Sequence, residues 1–255
     1  MSITSSIKRL LYRRLSLENY LKVLSAGFFA GMRLGLGKNS AAYEYPRFLR
    51  RVVRVGDVVI DIGANLGYYS REISRLVGVG GKVYAVEPVR PILGVLARNL
   101  RRRSNVEIVP CALGTEERTV TMVNDSSRYT GYMGTGRNYI PKSEEEERAD
   151  TDLEFEADMR RGSELFAKLD RLDFVKCDVE GYEGVIIPEM EPVILKHHPI
   201  VLLETGGAQR RRMIELFRGW GYGGYVLDKG RLVSVMRAPE KDIFFIPAHR
   251  HKELI

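Results

Sequence analysis

A chain of 255 residues is long enough for one large domain with a substantial core. Its net charge of +7 is uneven: residues 1–54 hold eleven Lys or Arg against two acids, so that segment is +9 and residues 55–255 total −2. A slightly acidic body, and an arm without a recognised module of stacking aromatics, argue against a nucleic-acid partner. Cys111 and Cys177 lack metal-site spacing and fall at the ends of different strands. Two such unpaired cysteines suit a reducing compartment, here the cytoplasm.

The arm, residues 1–54, carries Ile7, Leu10, Leu11, Leu17, Leu21, Leu24 and Phe28 at helical spacing. Its uncharged stretch from Val23 to Met32 is ten residues, too short to span a bilayer. No small-x-small cleavage site marks it as a signal peptide. Two readings stand. One is a basic amphipathic surface, residues 1–36, lying on anionic lipid at the inner face of a membrane. The other, favoured because such patterns are commonly core faces, is a helix pair packed over the cofactor site or against a second subunit of a homo-oligomer. A helix near residues 42–54 leads into the body.

The body, residues 55–255, alternates. An apolar strand at Val58–Ile62 runs into a helix after Gly67. A strand follows at 83–87, a helix at 91–102 and a strand at 106–111. Alternation of this kind means crossover connections and a mostly parallel sheet. Residues 117–123 read as an added strand. The segment 124–162 reads as an irregular insertion with a glycine-rich polar half and a solvated acidic run, Glu144–Glu147. Strands at 173–178 and 199–204 come next. Residues 222–247 are β-rich, with a hairpin turn at Asp228-Lys229-Gly230.

The chemistry starts at the first turn, Asp61-Ile62-Gly63-Ala64-Asn65-Leu66-Gly67. A strand ending in an acid and small residues lets backbone approach a ligand closely. The second strand ends in Glu87, placed to take the hydroxyls of a ribose. Together they point to an adenosine-containing cofactor. A dinucleotide fingerprint beginning at Gly63 needs glycines where Asn65 and Tyr68 stand, and Gly81-Lys82 lacks the hydroxyl and upstream cradle of a P-loop. What remains is the pattern expected around S-adenosylmethionine, with Asp61 near its amino-acid tail.

The motif from Gly56 to Gly67, with Val86-Glu87-Pro88, Ala112-Leu113-Gly114 and Lys176-Cys177-Asp178-Val179-Glu180-Gly181-Tyr182-Glu183, resembles the FkbM family of methyltransferases. Asp242 to Pro247 is similar to that family's last strand. The resemblance implies a Rossmann-like class I methyltransferase fold: a mostly parallel seven-stranded sheet with helices on both faces. It implies O-methylation of a sugar hydroxyl or a polyketide-like alcohol. The cofactor residues it implies are Asp61, Gly63, Ala64, Asn65, Gly67, Glu87, Pro88, Cys111, Ala112 and Asp178.

An alcohol becomes a good nucleophile only as its proton leaves, and Asp178, Glu180 and Glu183 are the candidate catalytic acids. Glu183 reads equally as a helix amino-terminal acid held by the dipole. Lys176 reads as a residue inside the strand that pairs with a neighbouring acid. Glu44, Tyr129 and Tyr132 are candidate acceptor contacts; Glu44 reads equally as a cap. A divalent cation would find acids here, but no spacing demands one. The favoured acceptor is a glycan, glycolipid or lipid-linked saccharide. A small molecule of secondary metabolism is the alternative.

Overall fold

The computed structural model describes residues 3–35, 41–141, 153–237 and 242–254. The acidic run Glu144–Glu147 lies outside the described residues. Two basic helices open the chain, α1 (Ile3–Arg14) and α2 (Leu17–Leu34), followed by α3 (Ala41–Phe48). The body then alternates β1 (Val58–Ile62), α4 (Tyr68–Val77), β2 (Lys82–Val86), α5 (Arg90–Leu100) and β3 (Val106–Val109).

The main sheet has eight strands, not the expected seven. Its further members are β7 (Phe174–Cys177), β8 (Ile200–Leu203), β9 (Tyr222–Asp228), β10 (Arg231–Ser234) and β11 (Ile243–Pro247), in the order β10-β9-β11-β8-β7-β1-β2-β3. The five strands from β3 to β8 run parallel, and β11 is antiparallel to both its neighbours. The eighth strand is β10, appended by a two-residue hairpin. Lys229 and Gly230 both have positive φ, the turn geometry that matches strand twist.

Side chains alternate across β1 and β7. Val59 and Phe174 pack under α3 and α4, whereas Ile60 and Val175 pack against the helices Glu183–Glu189 and Gly207–Gly219. Both faces of the sheet are therefore covered, as near-continuous apolar parallel strands require.

A second, three-stranded sheet joins β4 (Ala112–Gly114), β6 (Leu153–Arg161) and β5 (Arg118–Asn124), with β6 in the middle. The segment 124–162 is thus not irregular throughout. It holds the short helix α6 (Ser126–Thr130), and nine residues near its end, Leu153–Arg161, form β6, antiparallel to β5 from Arg118↔Met159 to Asn124↔Leu153. The added strand β5 belongs to this sheet and not to the main one.

The arm helix α2 packs onto this part of the molecule. Tyr20 and Leu21 are fully buried with Leu66, Val89, Ile92, Met122 and Met133, and Tyr20 Oη donates to the Met133 carbonyl at 3.0 Å. Exposed Ile7 and Leu10 remain on α1. No described helix is long and apolar enough to cross a membrane.

Candidate active site

The chain leaves β1 towards β2 on one side and returns to β7 on the other, so the crevice at the carboxyl ends of β1 and β7 is the topological switch point. The loops after these two strands touch. Gly63 has φ +76, and a Cβ there would stand 1.9 Å from the Asp178 carbonyl oxygen. Only glycine allows this approach. Asn65 also takes positive φ, which asparagine tolerates. Its backbone N–H donates to Glu87 Oε2 at 2.8 Å, and its side-chain amide donates to the Thr135 carbonyl at 2.9 Å.

Glu87 is buried at the end of β2, with Val89 N–H donating to its other oxygen at 2.9 Å. Burial pushes its carboxyl up to about 7, although both amides favour the charged form. A cavity of about 170 Å³ opens beside it, walled by Gly63, Asn65, Pro88, Asp178 and Glu180, with Thr135, Gly136 and Asn138 on another side. A smaller apolar cavity shares Gly63, Pro88, Met122 and Val179 with it and is lined further by Cys111, Ala112 and Tyr182.

The acids gather on the β7–β8 side. Lys176 is buried within β7, its Nζ 3.0 Å from Asp178 Oδ2 and 3.8 Å from Asp61 Oδ1, and it lies over the Tyr69 ring. Burial opposes its charge, but Asp178 and Asp61 hold the ammonium above its ordinary value. Burial likewise works against the Asp178 carboxylate. Lys176 and a hydrogen bond from Glu204 nevertheless keep Asp178 below the usual range. Glu204, just beyond β8, is the other half of that bond. Its proton is held up to about 9 by the hydrogen bond to Asp178, then by burial and by the Asp178 charge.

Glu180 has φ +57, a left-handed conformation rare for a non-glycine residue. It is exposed in outline, but its carboxyl sits in the cleft wall. Desolvation there, then Asp178 and Glu183, push it up to about 7. One carboxylate oxygen from each of Asp178, Glu180 and Glu204 lies within 4.8 Å of the others, an arrangement that would also accept a hard cation.

Several expected residues lie outside this cavity wall. Asp61 is fully buried, with Ser70 Oγ donating to it at 2.5 Å, so it supports Lys176 from behind. Ala64 packs with Ala85, Leu96 and Leu100, and Gly67 caps α4 against Leu96. Glu183 faces its own loop: Oε1 accepts from Val179 N–H at 2.9 Å and Gly181 N–H at 3.2 Å, and Oε2 accepts from Gln209. Tyr129 is 75% exposed. Glu44 and Tyr132 line a different, larger cleft of about 1050 Å³, formed between the arm helices and the body and bounded also by Tyr69, Thr135 and Asp242. Thr135 lines both spaces.

Five residues enter the site that were not among the candidate site residues. Glu204 stands at a strand end, the position that marked the others. Thr135, Gly136 and Asn138 come from the glycine-rich half of the insertion, where the tyrosines drew attention instead. Asp242 is pushed up to about 6 by burial and then by Asp178. It carries no local motif beyond its place before the last strand.

A sequence profile described as the methyltransferase FkbM domain matches residues 61–223, well over half of the chain. The chain belongs to the FkbM methyltransferase family. It carries an S-adenosylmethionine-dependent methyltransferase domain, and the crevice just described lies within the matched residues apart from Asp242. A protein-L-isoaspartate O-methyltransferase of Methanosarcina mazei is 29% identical over 103 residues, 40% of this chain; the match spans only 38% of that relative's length. Among solved structures, an FkbM methyltransferase from Methylobacillus flagellatus is similar at 16% identity, with a TM-score of 0.47, over 78% of this chain and 50% of its own. Aeropyrum pernix fibrillarin, solved with bound S-adenosylmethionine, is similar at 15% identity and a TM-score of 0.45, over 76% of this chain and 67% of its own.

The FkbM crevice suits the donor chemically. Glu87 spends one lone pair of each oxygen on a backbone amide and keeps others for ribose hydroxyls. The apolar cavity by Cys111 and Ala112 suits an adenine ring. The space is nonetheless smaller than the roughly 300–1,000 Å³ of common ligand pockets. Its outer wall is the strip from Thr135 to Asn138, tied down through Asn65.

Proposed function

We propose that this FkbM domain methylates a hydroxyl of a saccharide-bearing acceptor: a glycan, a glycolipid or a lipid-linked saccharide. The observation that carries the reading is the meeting of three carboxyl groups, Asp178, Glu180 and Glu204, on the wall of the crevice beside Glu87, next to a second, larger cleft. Sugar hydroxyls are bound well by carboxylates, and their ring faces lie well on tyrosines such as Tyr69 and Tyr132. The larger cleft offers both kinds of group, with Glu44, Asp242 and apolar residues of α1 and α2. The same apolar residues favour an amphiphilic acceptor over a small, wholly polar one.

S-adenosylmethionine, when bound, supplies a methyl group made electrophilic by a sulfonium. The chain's own residues do the rest. Glu87, with Gly63 and Pro88, would hold the adenosine half. Asp178, kept charged by Lys176, would sit at the amino-acid half. Glu180 is the group we assign to remove the acceptor's proton: its carboxyl, poised near 7, is half deprotonated at neutral pH, where a general base works best. Glu183 acts as a positioning residue, because its hydrogen bonds to Val179 and Gly181 N–H fix the backbone on both sides of Glu180.

Labelled S-adenosylmethionine incubated with the protein and with fractionated glycans, lipids and RNA tests the proposal. Label in a saccharide-containing fraction is the expected result. Label found only in RNA would overturn the acceptor class.

A further inference from the structure

A third cleft, of about 830 Å³, lies between α2 and the α4–α5 face and shares no lining residue with the cavity beside Glu87. Besides Arg75, six arginines line it. Arg33 comes from α2, Arg71 from α4, Arg98 from α5, and Arg101, Arg102 and Arg103 from the segment just beyond α5. Lys22 and Arg75 line it too, but Glu18 and Glu72 already neutralise them. Glu72 is the one carboxylate in the wall, and among the described residues none of the six arginines has an ion-pair partner.

The arginines are crowded as well as unpaired. Arg71 lies over the Phe29 ring, 4.3 Å from its centroid, which fixes its position. Burial, then Arg103 and Arg33, push Arg71 below its ordinary value. Three like charges gathered without a counter-ion are unfavourable, and a multiply charged anion reverses the sign of that interaction. Guanidinium groups match phosphate oxygens in bidentate geometry.

The aromatic residues argue against a nucleic-acid strand. Phe28 packs on Tyr43 at 4.9 Å and on Tyr68 at 4.3 Å, and Phe29 is covered by Arg71, so these rings are already engaged and offer a base poor stacking platforms. Phe28 and Tyr68 also line the larger cleft that holds Glu44 and Tyr132, so the two clefts share a wall.

We propose that this arginine cleft is a phosphate-binding site, and that the phosphate it takes belongs to the methyl acceptor. The second half rests on the acceptor reading above; the first half does not. The phosphate has two possible carriers, a soluble phosphorylated acceptor or a lipid headgroup.

The test is calorimetric titration of the full chain with inorganic pyrophosphate, comparing the unaltered protein with R33Q/R71Q/R103Q. A control, R118Q, removes an arginine paired with Glu116 on β5. Pyrophosphate should bind, the triple variant should weaken it by about ten-fold or more, and R118Q should leave it unchanged. S-adenosylmethionine affinity should be the same in all three, showing that the variants fold. No binding, or equal binding by the triple variant, overturns the site. Arginine-dependent pyrophosphate binding without donor binding keeps the site and sinks the methyltransferase reading.

Pyrophosphate should also inhibit labelling of the acceptor fraction in the unaltered protein. Saturating pyrophosphate without inhibition overturns the acceptor assignment. Two further probes separate the carriers. Arginine-dependent capture by phosphatidylcholine vesicles only when they contain phosphatidylglycerol places the phosphate on a lipid. Arginine-dependent binding of glycerol phosphate without vesicle capture places it on a soluble acceptor. A short RNA that displaces pyrophosphate, with a salt dependence of several phosphates, replaces the proposal with a nucleic-acid site.

Discussion

At the β2 end of the crevice, Glu87 accepts backbone N–H groups from Asn65 and Val89 at 2.8 and 2.9 Å and sits fixed in the wall. At the β7–β8 end, Asp178, Glu180 and Glu204 face one another, and Lys176 pairs with Asp178. Backbone donors orient the carboxyl at the first end, whereas side chains share a proton at the second. A ligand entering the first region meets one carboxyl held in place by backbone. A ligand entering the second meets several acids that interact with one another. A site that must hold one molecule and deprotonate another gains from this division.

The sharpest way to break the first region is Gly63→Ala. A Cβ cannot coexist with the Asp178 carbonyl at 1.9 Å, and φ +76 is itself costly for alanine, by about 1–2 kcal/mol. The loops after β1 and β7 must part. Donor binding measured by calorimetry should disappear, with a lowered melting temperature. Retained binding would mean that the contact between the loops does not shape the pocket.

Glu180→Gln tests the second region. Loss of a general base lowers turnover by roughly 10²–10⁴. Glu180 is protonated below about 7 and works only when charged, so the turnover of the unaltered protein should rise through pH 7 and level off above it. The variant should lose that rise and keep its donor affinity. A variant with full turnover would remove Glu180 from the chemistry.

Glu87→Gln is the matching change in the first region, with a smaller effect on turnover. Its new amide NH₂ cannot accept from Asn65 or Val89 N–H. Hydrogen bonds to a charged group contribute about 1.5–3 kcal/mol, so the dissociation constant for the donor should rise roughly 10- to 100-fold. Turnover at saturating donor should change little. If Glu87→Gln and Glu180→Gln weaken donor binding equally, the division between the two regions fails.

This division also explains what could be read from the chain itself. The β1 and β2 ends were legible because their signals are local: an apolar run, a glycine that must approach backbone, an acid at a strand end. The acid cluster draws on residues apart in sequence, Asp178 and Glu180 after β7 and Glu204 after β8, which only the strand order brings together. Glu204 falls at a strand end by the same rule as Glu87 and Asp178, but that rule alone assigns it no role. Asp61 was placed near the ligand because it ends a motif, yet alternation along β1 turns it towards Ser70 and Lys176. In β6, Leu153, Phe155, Ala157 and Met159 alternate with acids at the period of a strand. Their nearness to the Glu144–Glu147 run made the whole segment read as irregular.

The finest test of the shared proton is Glu204→Gln, whose amide keeps a donor for Asp178 at every pH. Glu204 holds its proton up to about 9 in the folded chain against an ordinary value of 4.5. The folded state therefore binds a proton that the unfolded state releases between those values. This contribution to stability is complete below 4.5 and is lost as pH rises through 9. A hydrogen bond to a charged group corresponds to about 1.5–3 kcal/mol, roughly 3–12 degrees of melting temperature in a domain this size. The unaltered protein should therefore melt progressively lower from about pH 5 to about pH 9, and Glu204→Gln should show a shallower decline across the same window. Parallel declines would mean that Asp178 and Glu204 do not share a proton. The acid side would then be three separate carboxylates rather than a coupled group, and its contrast with the amide-satisfied Glu87 would rest on Glu180 alone.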